Sequence, residues 1–92
     1  MMNNKIEQIA ALLEETQHAH HQAYLASDGA DPDWPLWYAG YLHDKLPPLL
    51  ETELTRSELT YLMLHLSKLQ QIEAPDAPWS RYYAKVLVEE YL

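Results

Sequence analysis

An aromatic helix opening occurs twice in this chain of 92 residues. Asp31-x-x-Trp34-x-x-Trp37-Tyr38-Ala39-x-Tyr41-Leu42 returns 45 residues later as Asp76-x-x-Trp79-x-x-Tyr82-Tyr83-Ala84-x-Val86-Leu87. In each copy an acid can accept from the free N–H groups of a first helical turn. Large rings then follow at spacings of three and four, which places them on one face of a helix. The repeat therefore fixes an architecture before it names an activity.

The punctuation around the repeat divides the chain into four expected helices, over residues 5–27, 34–46, 56–72 and 78–91. Asn4 is the expected cap of the first, with Glu7 three residues on as in a capping box. Ile6, Ile9, Ala10, Leu13, Gln17, His20 and Tyr24 share its inner face at 100° per residue. Gly29 suits the exit of that helix, where a left-handed backbone is common. Asp31 is the expected cap of the second helix, whose first turn tolerates the prolines of Asp31-Pro32-Asp33-Trp34-Pro35. Pro47-Pro48 is expected to end that helix near Leu46, leaving a short connector over residues 49–54. Thr55-x-x-Glu58 is a capping box for the third helix. Leu59, Leu62, Met63, Leu66 and Leu69 form its main face, and Tyr61, Leu64 and Ile72 point away from it. Ala74-Pro75-Asp76-Ala77-Pro78 breaks the chain before the fourth helix.

No segment alternates for long enough to make a strand. The expected fold class is all-α, a single domain over residues 1–92 shaped as a four-helix bundle of two similar helical hairpins. The leading helix of each hairpin aligns loosely with the other, Ile6, Ile9, Leu13 and Gln17 against Leu59, Leu62, Leu66 and Gln70. Duplication and convergence on one cap-and-stripe solution both account for this.

Composition narrows function mostly by exclusion. Cysteine is absent, which removes disulfides and thiolate chemistry. The formal charge is −8. Residues 1–54 carry two lysines against nine acids, and residues 55–92 four bases against five acids. An acidic front half repels phosphate backbones and anionic lipid heads, so neither nucleic acid nor membrane is an expected partner. No apolar run has the length of a membrane span or the form of a signal peptide, and a soluble cytoplasmic protein is expected.

Gln17 and His20 are the polar residues on the inner face of the first helix. Such groups need hydrogen bonds, since an orphaned one costs about 1–3 kcal/mol. Core satisfaction is the plain reading. The functional one is a small pocket at Gln17, His20 and Tyr24, walled by Trp34, Trp37, Tyr38, Trp79, Tyr82 and Tyr83. Glu14, His18 and His21 carry zinc-type donors on one side of the same helix. His18 and His20 stand about 160° apart around the axis, so the three histidines cannot share one ion, and no metal is expected. The run from Asp28 to Asp33 has acids and a glycine, but not at the places of a calcium loop. No nucleophile elbow, P-loop or dinucleotide motif is present, so the reading leans away from an enzyme and no cofactor is implied.

The stretch His20-His21-Gln22-Ala23-Tyr24, with Asp28-Gly29-Ala30-Asp31-Pro32-Asp33-Trp34-Pro35-Leu36-Trp37-Tyr38-Ala39-Gly40-Tyr41-Leu42, resembles a family of short bacterial helical proteins of uncharacterised function. The likeness extends through Leu54-Thr55-Arg56-Ser57-Glu58-Leu59 and Trp79-Ser80-Arg81-Tyr82-Tyr83. It implies a free-standing bacterial protein and carries no activity. The leading expectation for function is a non-enzymatic interaction module, self-associating through Tyr61, Leu64 and Ile72. The alternative is a small-molecule binder or minor enzyme built on the pocket around His20.

Overall fold

The structure, a computed structural model, describes residues 2–92. Every regular element among the described residues is a helix: α1 (Met2–Ala23), a 3-10 turn (Leu25–Ser27), α2 (Trp34–Leu42), α3 (Leu46–Leu50), α4 (Arg56–Glu73) and α5 (Trp79–Tyr91). Among the described residues no helix is long and apolar enough to cross a membrane. The radius of gyration is 12.7 Å, against about 12 Å for a compact chain of this length.

Among the described residues five α-helices stand where four were expected. The chain leaves α2 at Leu42, and Pro47 and Pro48 sit in the first turn of α3 instead of ending the helix before it. N–H groups in a first turn have no helical acceptor, so proline costs nothing there. The expected connector is thus partly a helix that buries Leu46, Pro47 and Leu50. It ends on Glu51, whose left-handed backbone (φ 56°) lets its N–H reach the carbonyls of Pro47 and Pro48.

Three expected caps move. α1 begins at Met2, so Asn4 lies inside it and caps nothing. The cap position of α2 is Asp33, without a side-chain bond. That of α5 is Pro78, so Asp76 caps nothing. The capping box of α4 is as expected: Glu58 N–H donates to Thr55 Oγ1 over 3.1 Å, and Thr55 N–H to Glu58 Oε1 over 2.8 Å. α1 stops at Ala23, earlier than expected, and the chain turns through Gly29 at φ 84°.

Packing departs from sequential hairpins. The tightest pairings are α1 with α5 and α2 with α4, whereas α1–α2 and α4–α5 are thinner. Ile9 and Leu13 of α1, Leu42 of α2, Leu46 and Leu50 of α3, Leu59, Met63 and Leu66 of α4, and Leu87 and Val88 of α5 close the core. Truncating any of these leucines to alanine costs about 2–5 kcal/mol. The two aromatic repeats behave alike within this core. Trp34 meets Tyr38 edge-on at 5.1 Å, and Trp79 meets Tyr83 edge-on at 5.1 Å. Tyr38 and Tyr83, Ala39 and Ala84, and Leu42 and Leu87 are buried as matched pairs.

Candidate functional site

The repeats differ at their acids. Asp76 is exposed. Asp31 instead reaches back to α1, where His20 Nε2 lies 2.9 Å from Asp31 Oδ2. Both side chains are withdrawn from water, with 8% of His20 and 7% of Asp31 exposed. Asp31 Oδ1 also accepts from the N–H of Asp33 over 3.1 Å, which shapes the lead-in to α2. The hydrogen bond from the His20 ring holds the Asp31 carboxyl below the usual carboxylate range, against the opposing effect of burial. An ionised carboxylate accepts only, so Nε2 carries the proton of a neutral His20 ring.

Aromatic rings surround that imidazole. Tyr24 stacks on it at 4.8 Å, Trp37 meets it edge-on at 5.1 Å, and Tyr38 lies tilted at 5.4 Å. Burial, then the Asp31 charge, raises the pKa of the Tyr24 phenol. Burial pushes Tyr38 up to about 12. Beside the pair is a pocket of about 280 Å³, lined by Gln17, His20, His21, Asp28, Gly29, Asp31, Trp34 and Tyr38.

The structure brings together part of the expected pocket. Gln17, His20, Trp34 and Tyr38 line it, and Tyr24 and Trp37 brace the His20 ring from outside. Trp79, Tyr82 and Tyr83 do not line it. Tyr83 is core, and Tyr82 donates to Glu73 Oε1 over 2.6 Å. Gln17 is exposed at the rim, and Thr16 takes the enclosed place on α1, donating to Leu12 O over 2.7 Å. Asp31, expected to cap α2, and Asp28, in the expected turn before it, instead line the pocket. The His20–Asp31 spacing of 11 residues is close to three helical turns, but α1 ends at Ala23, so that period does not join them.

Glu14, His18 and His21 do not converge. Glu14 accepts from Ser80 Oγ over 2.9 Å, and His18 is exposed. Among the described residues no three His, Asp or Glu side chains are placed to hold a metal ion.

A second concavity, of about 540 Å³, runs between α4 and α5. Leu62, Leu66, Leu69, Val86 and Leu87 supply its apolar lining, with Tyr61, Tyr91, Glu58 and Glu90 among the polar groups around it. Tyr61 stacks on His65 at 5.6 Å. Tyr61, Leu64 and Ile72 are all exposed, as their helical register requires.

Comparison with protein-family models, with curated proteins and with solved structures finds no match.

Proposed function

We propose that this chain is a non-enzymatic interaction module that pairs with a second copy of itself across the α4–α5 groove. The carrying observation is the exposure of Ile72 (81%) and Tyr61 (65%) on the helix that forms one wall of that apolar groove. Tyr61, Leu64 and Ile72 lie within about 80° of one another around α4, and exposed apolar side chains sharing one helix face mark an interaction surface. The net charge of this half of the chain admits a second copy as the occupant. The acidic excess lies in residues 1–54, while residues 55–92, which include both helices of the groove, are nearly balanced. Self-repulsion is therefore small for that half as a whole, and pairing must leave the groove's own acids, Glu58 and Glu90, in water. Two α4 helices crossing antiparallel about a two-fold axis would bring Tyr61 of each toward Ile72 of the other. The contacts of α1 with α5, α5 with α4, α4 with α2 and α2 with α1 support reading these four helices as one bundle.

Sedimentation equilibrium at micromolar concentration tests the pairing. A reversible dimer is expected, and Ile72→Lys or Tyr61→Lys shifts it to monomer with helical circular dichroism unchanged. A wild-type chain that stays monomeric throughout the range refutes it.

The His20–Asp31 pair supports a second reading, small-molecule binding in the adjacent pocket. Its lining of carboxylates, imidazole, amide and aromatic rings suits reversible binding, and binding is the activity proposed for it.

A further inference from the structure

The second ring nitrogen of His20 is what gives the pocket its character. Nε2 is taken by Asp31. Nδ1 makes no hydrogen bond among the described residues. It is also not sealed in the core, because no fully enclosed side-chain nitrogen or oxygen there lacks a partner. The ring is more than nine-tenths buried and lines the pocket. A neutral imidazole whose proton is held on Nε2 offers its Nδ1 lone pair as an acceptor.

The remaining lining points to the same ligand chemistry. Asp28 and Asp31 contribute carboxylates, and Gln17 an amide oxygen. No Lys or Arg lines the pocket, whose remaining nitrogen bases are the imidazoles of His20 and His21, so an anion would meet two carboxylates with no permanent positive charge beside them. Trp34 and Tyr38 form an edge-to-face wall at 5.1 Å. Aromatic faces attract cations through the ring quadrupole. A volume of about 280 Å³ corresponds to about nine water-sized atoms at ~30 Å³ each.

We propose that the His20 pocket binds a small organic cation carrying N–H donors, a primary or secondary amine whose ammonium hydrogens meet His20 Nδ1 and the Asp28 and Asp31 carboxylates. The proposal rests on the small-molecule reading of this pocket and is independent of pairing through α4 and α5.

The test is a titration of the full-length chain near neutral pH, followed by the nitrogen resonances of the His20 ring. The probes are butylamine, tetramethylammonium, butyrate and 1-butanol. Butylamine is expected to saturate and to shift the Nδ1 resonance. Tetramethylammonium, a cation with no N–H, binds more weakly, and butyrate and butanol leave the ring unmoved. Asp28→Asn keeps a residue type that tolerates the left-handed backbone seen at Asp28 (φ 58°). It should weaken butylamine binding about fivefold, the upper range for one solvent-accessible ion pair. Butyrate or butanol binding in place of the amine overturns the cation class and leaves the pocket reading standing. Silence of the ring toward all four probes overturns both. Equal binding of tetramethylammonium and butylamine, or an Asp28→Asn variant with unchanged affinity, overturns the assignment of the N–H acceptors.

Discussion

Ser80 Oγ donates to Glu14 Oε2 over 2.9 Å, although 66 positions separate the two residues in the chain. The bond joins the middle of α1 to the first turn of α5. Ser80 is buried, while Glu14 is exposed as a residue. Ser80→Ala should therefore cost about 1 kcal/mol, the net worth of one hydrogen bond, because the released carboxylate can return to water. Urea unfolding with an unchanged m-value checks this. A loss above about 3 kcal/mol would mean that the carboxylate is trapped out of water.

The His20–Asp31 contact sets the acid limb of stability. The folded pKa of Asp31 lies below its ordinary value, chiefly because of the hydrogen bond from His20. The folded state thus favours the ionised carboxyl, so this contribution is present above the unfolded pKa and is lost as pH falls through the folded one. Urea midpoints should drop between about pH 5 and pH 2 more steeply in wild type than in Asp31→Asn. Parallel profiles for the two proteins would refute the linkage.

Alkaline titration has the opposite sign. Six of the seven tyrosines have raised pKa values: Tyr24, Tyr38, Tyr41, Tyr82, Tyr83 and Tyr91. The bond to Glu73 carries Tyr82 to about 12, and burial carries Tyr38 to about 12. Raised groups stabilise the fold below their unfolded pKa, and that stability is lost as pH rises through the folded one. Phenolate absorbance in the folded protein should lag behind that of the urea-unfolded chain, and unfolding should begin in the same pH range. Tyr82→Phe removes part of the lag, and a variant curve superimposing on wild type would exclude the Glu73 contact.

Thr55→Ala removes half of the capping box and should lower stability by about 1 kcal/mol. Thr55→Ser retains the hydroxyl and should recover most of it. The readout is the thermal midpoint, measured at one pH for all three proteins.

The two glycines should respond oppositely to alanine. Gly29 has φ +84°, and an added Cβ would lie 2.7 Å from the His21 ring. Gly29→Ala should destabilise by about 1 kcal/mol or more. Gly40 lies within α2, and an added Cβ there meets nothing within 4 Å. Gly40→Ala should stabilise by about 0.5–1 kcal/mol. Denaturant midpoints shifting in the same direction for both variants would contradict this.

Local rules were enough to locate the α4 capping box and the matched Trp–Tyr pairs, because each depends on residues three or four apart. The α1 face was legible only approximately. Its buried centre falls between Leu13 and Ile9, leaving Thr16 about 40° to one side and Gln17 about 60° to the other. Periodicity alone could not decide which of them the core would enclose. The His20–Asp31 bond was beyond local reading, because it depends on the 3-10 turn and on Asp28 and Gly29 both adopting positive φ. Pro47-Pro48 misled for a simpler reason. The same dipeptide suits the stop of one helix and the start of another, and only the burial of Leu46 and Leu50 decides for the start.

The pairing of α1 with α5 has a consequence for synthesis on the ribosome. α1 is translated first, and its principal partner is translated last of the helices. α2 and α4 can close across their short connection while α5 is still being made, because closing a short loop costs less entropy than closing a long one. Until α5 is complete, Ile9 and Leu13 lack part of their cover, and the nascent chain carries an apolar helix edge available to chaperones. An order in which α1 followed α5 would shorten that interval.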